Sequence, residues 1–213
     1  MRAARAAALA VLIPAVFGLF SSLAAAKPVK IVALGDSLTA GYMLPADAAF
    51  PAVLEAALRR AGYDVAVTNA GVSGDTAEDG LARLDWSVPD GTDGVILELG
   101  ANDMLRGLDP AHTRQTLDAI LARLTARHIK VLIAGMQASP SLGADYGRAF
   151  DAIYPALAEK YQAPFYAFFL QGVTGDQSLE LTDGLHPNRA GVQKIVAGLL
   201  PLTENFVQSL MRR

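Results

Sequence analysis

Two runs, VKIVAL (29–34) and VLIAGM (131–136), are apolar almost throughout instead of alternating, and they constrain the fold more than anything else in the chain. A strand hydrophobic on successive residues must be covered on both faces, as a central strand of a parallel sheet is when helices flank it. Shorter β-rich runs follow the same logic at 64–68 (DVAVT), 93–99 (DGVILEL) and 164–168 (PFYAF). Between them lie helical patterns. Phe50, Val53, Leu54, Ala57 and Leu58 form one apolar stripe at i, i+3, i+4, i+7 and i+8, and Gly62 ends that helix. Asp109-Pro110 is an N-cap followed by proline at the first helical position, opening a helix to about Arg127. A helix over about 145–161 carries Pro155, which predicts a kink or a break. Asn188 caps a last helix, predicted to be interrupted at Pro201. Strands alternating with helices in this way predict an α/β fold, a three-layer α/β/α domain with a five-stranded parallel sheet, from about residue 27 to 213.

The first 26 residues stand outside that pattern. Arg2 and Arg5 precede an uncharged apolar run, Leu9 to Phe20, and Ala24-Ala25-Ala26 supplies the small residues of a cleavage site. These are the three regions of a secretory signal peptide. The competing reading is a retained membrane anchor, since 6–26 carries no charge and is about the length of a spanning helix. Pro14 and the small-residue exit favour cleavage, hence a periplasmic or secreted protein with no transmembrane segment once the leader is removed. Without the leader, 16 basic face 21 acidic residues, a net charge of −5. An acidic body without a basic cluster argues against nucleic acid as a partner. The absence of cysteine excludes disulfides, a thiol nucleophile and a Cys-based metal site.

In an open parallel sheet, ligands bind beyond the carboxyl ends of the strands, where the strand order reverses. Four segments rich in chemistry fall at such places: Gly35-Asp36-Ser37-Leu38-Thr39, Asn69-Ala70-Gly71-Val72-Ser73-Gly74, Gly100-Ala101-Asn102-Asp103 and Asp183-Gly184-Leu185-His186-Pro187. In the strand order 2-1-3-4-5, Ser37 lies between the Gly71 and Asn102 loops. A nucleophile so flanked can receive donors from both sides on the oxyanion formed when it attacks a carbonyl. The expected donors are the backbone N–H groups of Ser37 and Gly71 and the side-chain amide of Asn102. Glycine at 71 is expected to let the backbone approach substrate without a Cβ in the way. His186 would be the general base, and Asp183 would hold its imidazole in the required tautomer. His112 and His128 sit at the ends of a helix and make poor bases.

Each residue also has a plainer reading. Ser37 could cap a helix, Gly71 could be a turn glycine, and Asp183 could open a turn with Gly184. Asp36 reads as a loop hydrogen-bonding residue, Asp103 as part of an Asx turn, and Glu78, Asp79 and Asp85 as a solvated helix face. A phosphate- or flavin-binding module is the rival from another class, since loops after first strands of such sheets bind phosphate. Asp36 would repel phosphate there, and that reading leaves Asn102 and His186 unused.

Taken in order, GDSLTAGY, NAGVSGDT, LGANDMLRG and DGLHPN resemble the sequence blocks of the GDSL, or SGNH, hydrolase family. The letters S, G, N and H would be Ser37, Gly71, Asn102 and His186. The similarity spans essentially everything after the leader, including MQASPSLGADYGRAF. It is greatest to the bacterial periplasmic branch of acyl-CoA thioesterases, lysophospholipases and arylesterases. The resemblance implies a flavodoxin-like fold, no metal or organic cofactor, and a covalent acyl-enzyme. It departs at Ala101, where a second glycine is common. The implied substrates are small-molecule acyl esters or thioesters, and export away from cytosolic acyl-CoA points to lysophospholipids or other lipid esters. An acetyl esterase acting on carbohydrate is the alternative. Met104, Leu105, Leu108 and Leu142 are the apolar loop residues available to an acyl chain, and packing against the core would explain each equally well.

Overall fold

The computed structural model describes residues 27–212; the leader predicted over 1–26 lies outside them. Five strands are assigned: β1 (Val29–Gly35), β2 (Val65–Gly71), β3 (Gly94–Glu98), β4 (Lys130–Ala134) and β5 (Phe165–Tyr166). They pair in parallel, as the alternating pattern predicts, in the expected order β2-β1-β3-β4-β5. All five residues of β3 are buried, as are the last five of β1, Ile31 to Gly35. The near-continuous apolar runs are thus the doubly covered centre of the sheet.

The helices, in chain order, are α1 (Ser37–Ala40), α2 (Phe50–Arg60), α3 (Ala77–Ala82), α4 (Leu84–Ser87), α5 (Ala101–Leu105), α6 (Pro110–Ala126), α7 (Ala144–Asp151), α8 (Ile153–Tyr161) and α9 (Arg189–Met211). α2 packs on β2 and α9, whereas α6 packs on α3, α7, α8 and β4. A right-handed crossover from β1 through α2 to β2 and another from β3 through α6 to β4 run outward in opposite directions, so their helices cover opposite faces. Phe50, Leu54 and Leu58 of α2 are fully buried, as are Ile120 and Leu124 of α6. Each such side chain contributes roughly 1.5–3 kcal/mol of burial.

Two prolines behave differently from each other. The predicted helix over 145–161 breaks at Ala152, so α8 starts afresh and Pro155 stands in its first turn. Its missing N–H leaves the Asp151 carbonyl without the bond that would have joined α7 to α8. Pro201, expected to interrupt the last helix, does not: α9 runs unbroken for 23 residues through it. Pro201 and Ala197 both face solvent, while Val196, Leu199, Thr203 and Phe206 are buried on the other side. The carbonyl freed by the proline therefore lies on the solvent-facing side of the helix, and packing before and after it keeps the helix whole.

β1 brings the chain to Ser37 at the carboxyl edge of the sheet. α9 starts at that edge and returns along the sheet, where Lys130 Nζ at the amino end of β4 donates to the Ser209 carbonyl at 2.9 Å.

Candidate active site

The first residue after β1 is Asp36, completely buried and the N-cap of α1, whose Oδ1 accepts the Leu38 N–H at 3.0 Å. Ser37 is therefore the first residue of a four-residue helix emerging from a central strand. Gly41 ends that helix in the left-handed region, φ 79°, and turns the chain so that the Tyr42 N–H returns to the Ser37 carbonyl.

The side chain that meets Ser37 comes from 149 residues away in sequence. His186 Nε2 lies 2.8 Å from Ser37 Oγ, and His186 Nδ1 lies 2.7 Å from Asp183 Oδ2. The other carboxylate oxygen, Oδ1, accepts the N–H groups of Leu185 and His186 at 2.9 and 3.0 Å. Those two backbone bonds, foremost that from His186, hold the Asp183 carboxyl down at about 2. The carboxylate stays charged through the whole neutral range and fixes Nδ1 as the protonated nitrogen, leaving Nε2 free to accept. Tyr42 packs its ring on the imidazole with centroids 4.5 Å apart. The loop itself is braced by Leu181 N–H to the His186 carbonyl and by Asn188, which bonds back to Ser178, Leu179 and Glu180.

Gly71 and Asn102 flank Ser37, at the ends of the strands either side of β1. A Cβ on Gly71 would sit 2.2 Å from the Ala40 nitrogen and 2.8 Å from the Asp36 carbonyl oxygen. Glycine here lets β2 close on the helix that carries Ser37, and the space expected for substrate is filled by protein backbone. The Gly71 N–H donates to Asn69 Oδ1 at 2.9 Å. Asn102 Nδ2 donates to the Asp75 carbonyl at 2.9 Å and to Asp36 Oδ2 at 3.2 Å. Before it, Gly100 has φ 113°, so glycine is required there. Ala101 is an ordinary first helical residue, and the departure from the family pattern costs no geometry.

Of the apolar candidates, Met104 is buried and its sulfur accepts the Ser139 N–H at 3.5 Å. It anchors the loop over 137–142. Leu142 packs partly buried against the core and Leu108 is half-buried, whereas Leu105 is exposed. Tyr42, Met43, Val72 and Leu185 are exposed in the same set of loops. A groove of about 690 Å³ lies elsewhere, at the amino ends of β4 and β5, among Leu121, His128, Tyr161 and Phe206.

Several residues at the site escape a reading of the sequence. Asp103 is not a local Asx turn: its buried carboxylate accepts the Ala77 N–H at 2.8 Å and the Thr113 hydroxyl at 3.1 Å, joining the starts of α3 and α6. Asp79 closes a capping box with Thr76. Glu98, at the end of β3, is wholly buried; its Oε2 accepts the Thr39 hydroxyl at 2.7 Å. Burial, reinforced by Asp36, pushes its carboxyl well above the usual range. Burial likewise raises Asp36 to about 7. Arg83 is buried too, and no motif points to it. A glutamate inside the apolar run DGVILEL was the one available signal, because a charge in a doubly covered strand must be neutralised or paired.

Fold and constellation together define a hydrolase of the serine type. The chain belongs to the GDSL-like lipase/acylhydrolase family, which it matches over residues 33–194. It is 37% identical over 184 residues to Esterase TesA of Pseudomonas aeruginosa, covering 86% of this chain and 90% of that protein. To the thioesterase 1/protease 1/lysophospholipase L1 of Escherichia coli K12 it is 38% identical over 178 residues, covering 83% and 84%. The crystal structure of AlinE4, an SGNH-hydrolase family esterase, aligns with a TM-score of 0.72 at 45% identity, covering 85% of this chain and 97% of that one. The chain is thus an ester-bond hydrolase.

Proposed function

We propose that the protein cleaves carboxylic esters and acyl thioesters through an acyl-Ser37 intermediate. The observation that carries this is the unbroken chain from Ser37 Oγ to His186 Nε2 at 2.8 Å and from His186 Nδ1 to Asp183 Oδ2 at 2.7 Å. Ser37 attacks the acyl carbonyl as His186 takes its proton; Asp183 stabilises the imidazolium; the proton then leaves with the alcohol or thiol. Water, activated by the same histidine, releases the acid. The oxyanion is held by the Ser37 N–H, by Asn102 and by the Gly71 N–H, which exchanges its bond to Asn69 Oδ1 for the developing charge. The developing charge displaces the longer Asn102 contact, that to Asp36, while the shorter bond to Asp75 keeps the amide aimed. No metal or organic cofactor enters these steps. Leu105, Tyr42, Val72 and Leu185 offer the acyl chain an exposed apolar rim, with Leu108 and Leu142 behind it. The leader directs the protein out of the cytosol, where lysophospholipids and other lipid esters are the accessible substrates.

The phosphate-binding alternative loses ground on one observation. The Asp36 carboxylate caps the start of α1 through the Leu38 N–H and would repel a phosphate there.

A panel of p-nitrophenyl esters, acyl thioesters and a lysophospholipid, over acyl lengths from acetyl upward, tests the proposal with Ser37→Ala as blank. Turnover should rise beyond acetyl and vanish in the Ser37→Ala protein. Turnover retained by a pure, folded Ser37→Ala sample would overturn the mechanism, and activity confined to acetyl esters would favour the carbohydrate esterase.

A further inference from the structure

Arg83 stands between α3 and α4, and only 7% of it is exposed. A buried guanidinium is costly unless its donors are satisfied, and here they converge on the loops around Ser37. Nη2 donates to the Gly35 carbonyl at 2.8 Å, and Nη1 to the Ala70 carbonyl at 2.9 Å. Nη1 also meets Ser87 Oγ at 2.9 Å, and Nε meets Asp75 Oδ2 at 2.5 Å.

The peptide unit is planar and trans, so a fixed carbonyl fixes the direction of the N–H on its other side. The Ala70 carbonyl belongs to the same peptide as the Gly71 N–H, and the Gly35 carbonyl to the same peptide as the N–H of Asp36. Arg83 therefore holds two peptides, one carrying a proposed oxyanion donor and the other leading directly into the nucleophile. Through Asp75 it reaches the third loop, because the Asp75 carbonyl accepts the Asn102 amide. One planar fork ties the ends of β1 and β2 to the segment that orients Asn102. Lysine, a point donor on a flexible stem, has no means of making these four bonds together.

We infer that Arg83 is a positioning residue for the oxyanion site, setting the aim of the Gly71 N–H and, through Asp75, of the Asn102 amide. This rests on the reading above that Gly71 and Asn102 stabilise the oxyanion. Misaimed donors weaken binding of the transition state and leave the ground-state ester almost unaffected. The effect belongs in kcat, while KM stays nearly constant.

The test is a double-mutant cycle on the purified protein with a p-nitrophenyl ester, combining Arg83→Lys with Asn102→Ala. Circular dichroism and thermal melting establish that each protein is folded. Asn102→Ala alone should lower kcat by about 10²–10³. Arg83→Lys, which keeps the buried charge, should lower kcat by about 10- to 100-fold, in line with a small misplacement of catalytic groups, with KM within about twofold. In the Asn102→Ala background the same lysine should cost much less, because part of what Arg83 positions is gone. Equal losses in both backgrounds, or a loss expressed in KM, would overturn the inference and leave the oxyanion reading intact. A negligible effect of Asn102→Ala alone would instead remove Asn102 from the oxyanion site. If the lysine variant does not fold, Asp75→Asn replaces it in the cycle. That change keeps the backbone carbonyl and an acceptor for Nε, and the same non-additive loss in kcat is expected; additivity counts against the inference there too.

Discussion

At the scale of the residue, the two buried carboxyls beneath Ser37 divide their roles by the donors they face. Asp36 meets the Leu38 N–H and the Asn102 amide, so it is the better seat for the negative charge. Glu98 accepts the Thr39 hydroxyl and also faces the backbone N–H groups of Asp36 and Thr39, but burial outweighs these donors, and its Oε1 has no hydrogen-bond partner. The proton of the pair therefore belongs on Glu98. A carboxyl raised in the folded state binds a proton that the unfolded chain releases in the ordinary carboxylate range. The native state is accordingly favoured at acid pH, and this advantage fades as pH rises towards the folded value. Glu98→Gln is the neutral near-isostere and should lift the melting temperature more at pH 8 than at pH 5. Melting curves of both proteins across that range check it, and a difference independent of pH would defeat the assignment. The residues proposed to act directly, Ser37, Asn102, Asp183 and His186, were legible as a group because loop residues at strand ends have few structural reasons to be these types together, and the fold brings Ser37, His186 and Asp183 into one hydrogen-bonded chain. Glu98 and Arg83 were not, because their roles depend on buried partners far away in sequence, such as Thr39 and Gly35.

At the scale of the element, the start of α9 is also the brace of the loop that carries Asp183 and His186. Asn188 Oδ1 caps the helix through the N–H groups of Ala190 and Gly191, while its Nδ2 holds the carbonyls of Ser178 and Glu180. Asn188→Ala should cost about 1 kcal/mol for the cap, somewhat more for the carbonyls it abandons, and should lower kcat by loosening His186. Asn188→Asp separates the two functions: an oxygen restores the cap and its share of the melting temperature, but no donor restores the loop. Paired melting and rate measurements check this, and full recovery of kcat in the aspartate variant would refute the bracing role. The cap itself was legible in the sequence; its second function was not. The prolines teach the same lesson in reverse. Pro155 and Pro201 look alike as helix breakers, yet only the first coincides with a break, since α9 is pinned to the sheet on either side of Pro201.

At the scale of the whole molecule, the parallel sheet and its layering followed from two apolar runs and the helical periodicity between strands, whereas the strand order is not fixed by that pattern and agrees with the fold that the family resemblance implies. The same scale governs electrostatics. The chain after residue 26 carries a net charge of −5, which opposes the approach of polyanionic substrates. For an acyl-CoA, kcat/KM should rise as ionic strength increases from about 10 mM to about 150 mM, since screening shortens the reach of that repulsion. A neutral p-nitrophenyl ester of the same acyl length should respond little. A fall for the acyl-CoA would mean that local cations such as Arg106 outweigh the body charge. One further consequence follows from the direction of α9. Its last turns lie against Lys130 and Gly94 at the amino ends of β4 and β3, the edge from which β1 also sets out at Val29. Seven residues of strand, about 23 Å at the usual rise, separate that edge from Ser37. The catalyst can therefore be anchored to a bead or fused to a carrier by either end of the described body, with the mouth of the site turned outward and unobstructed.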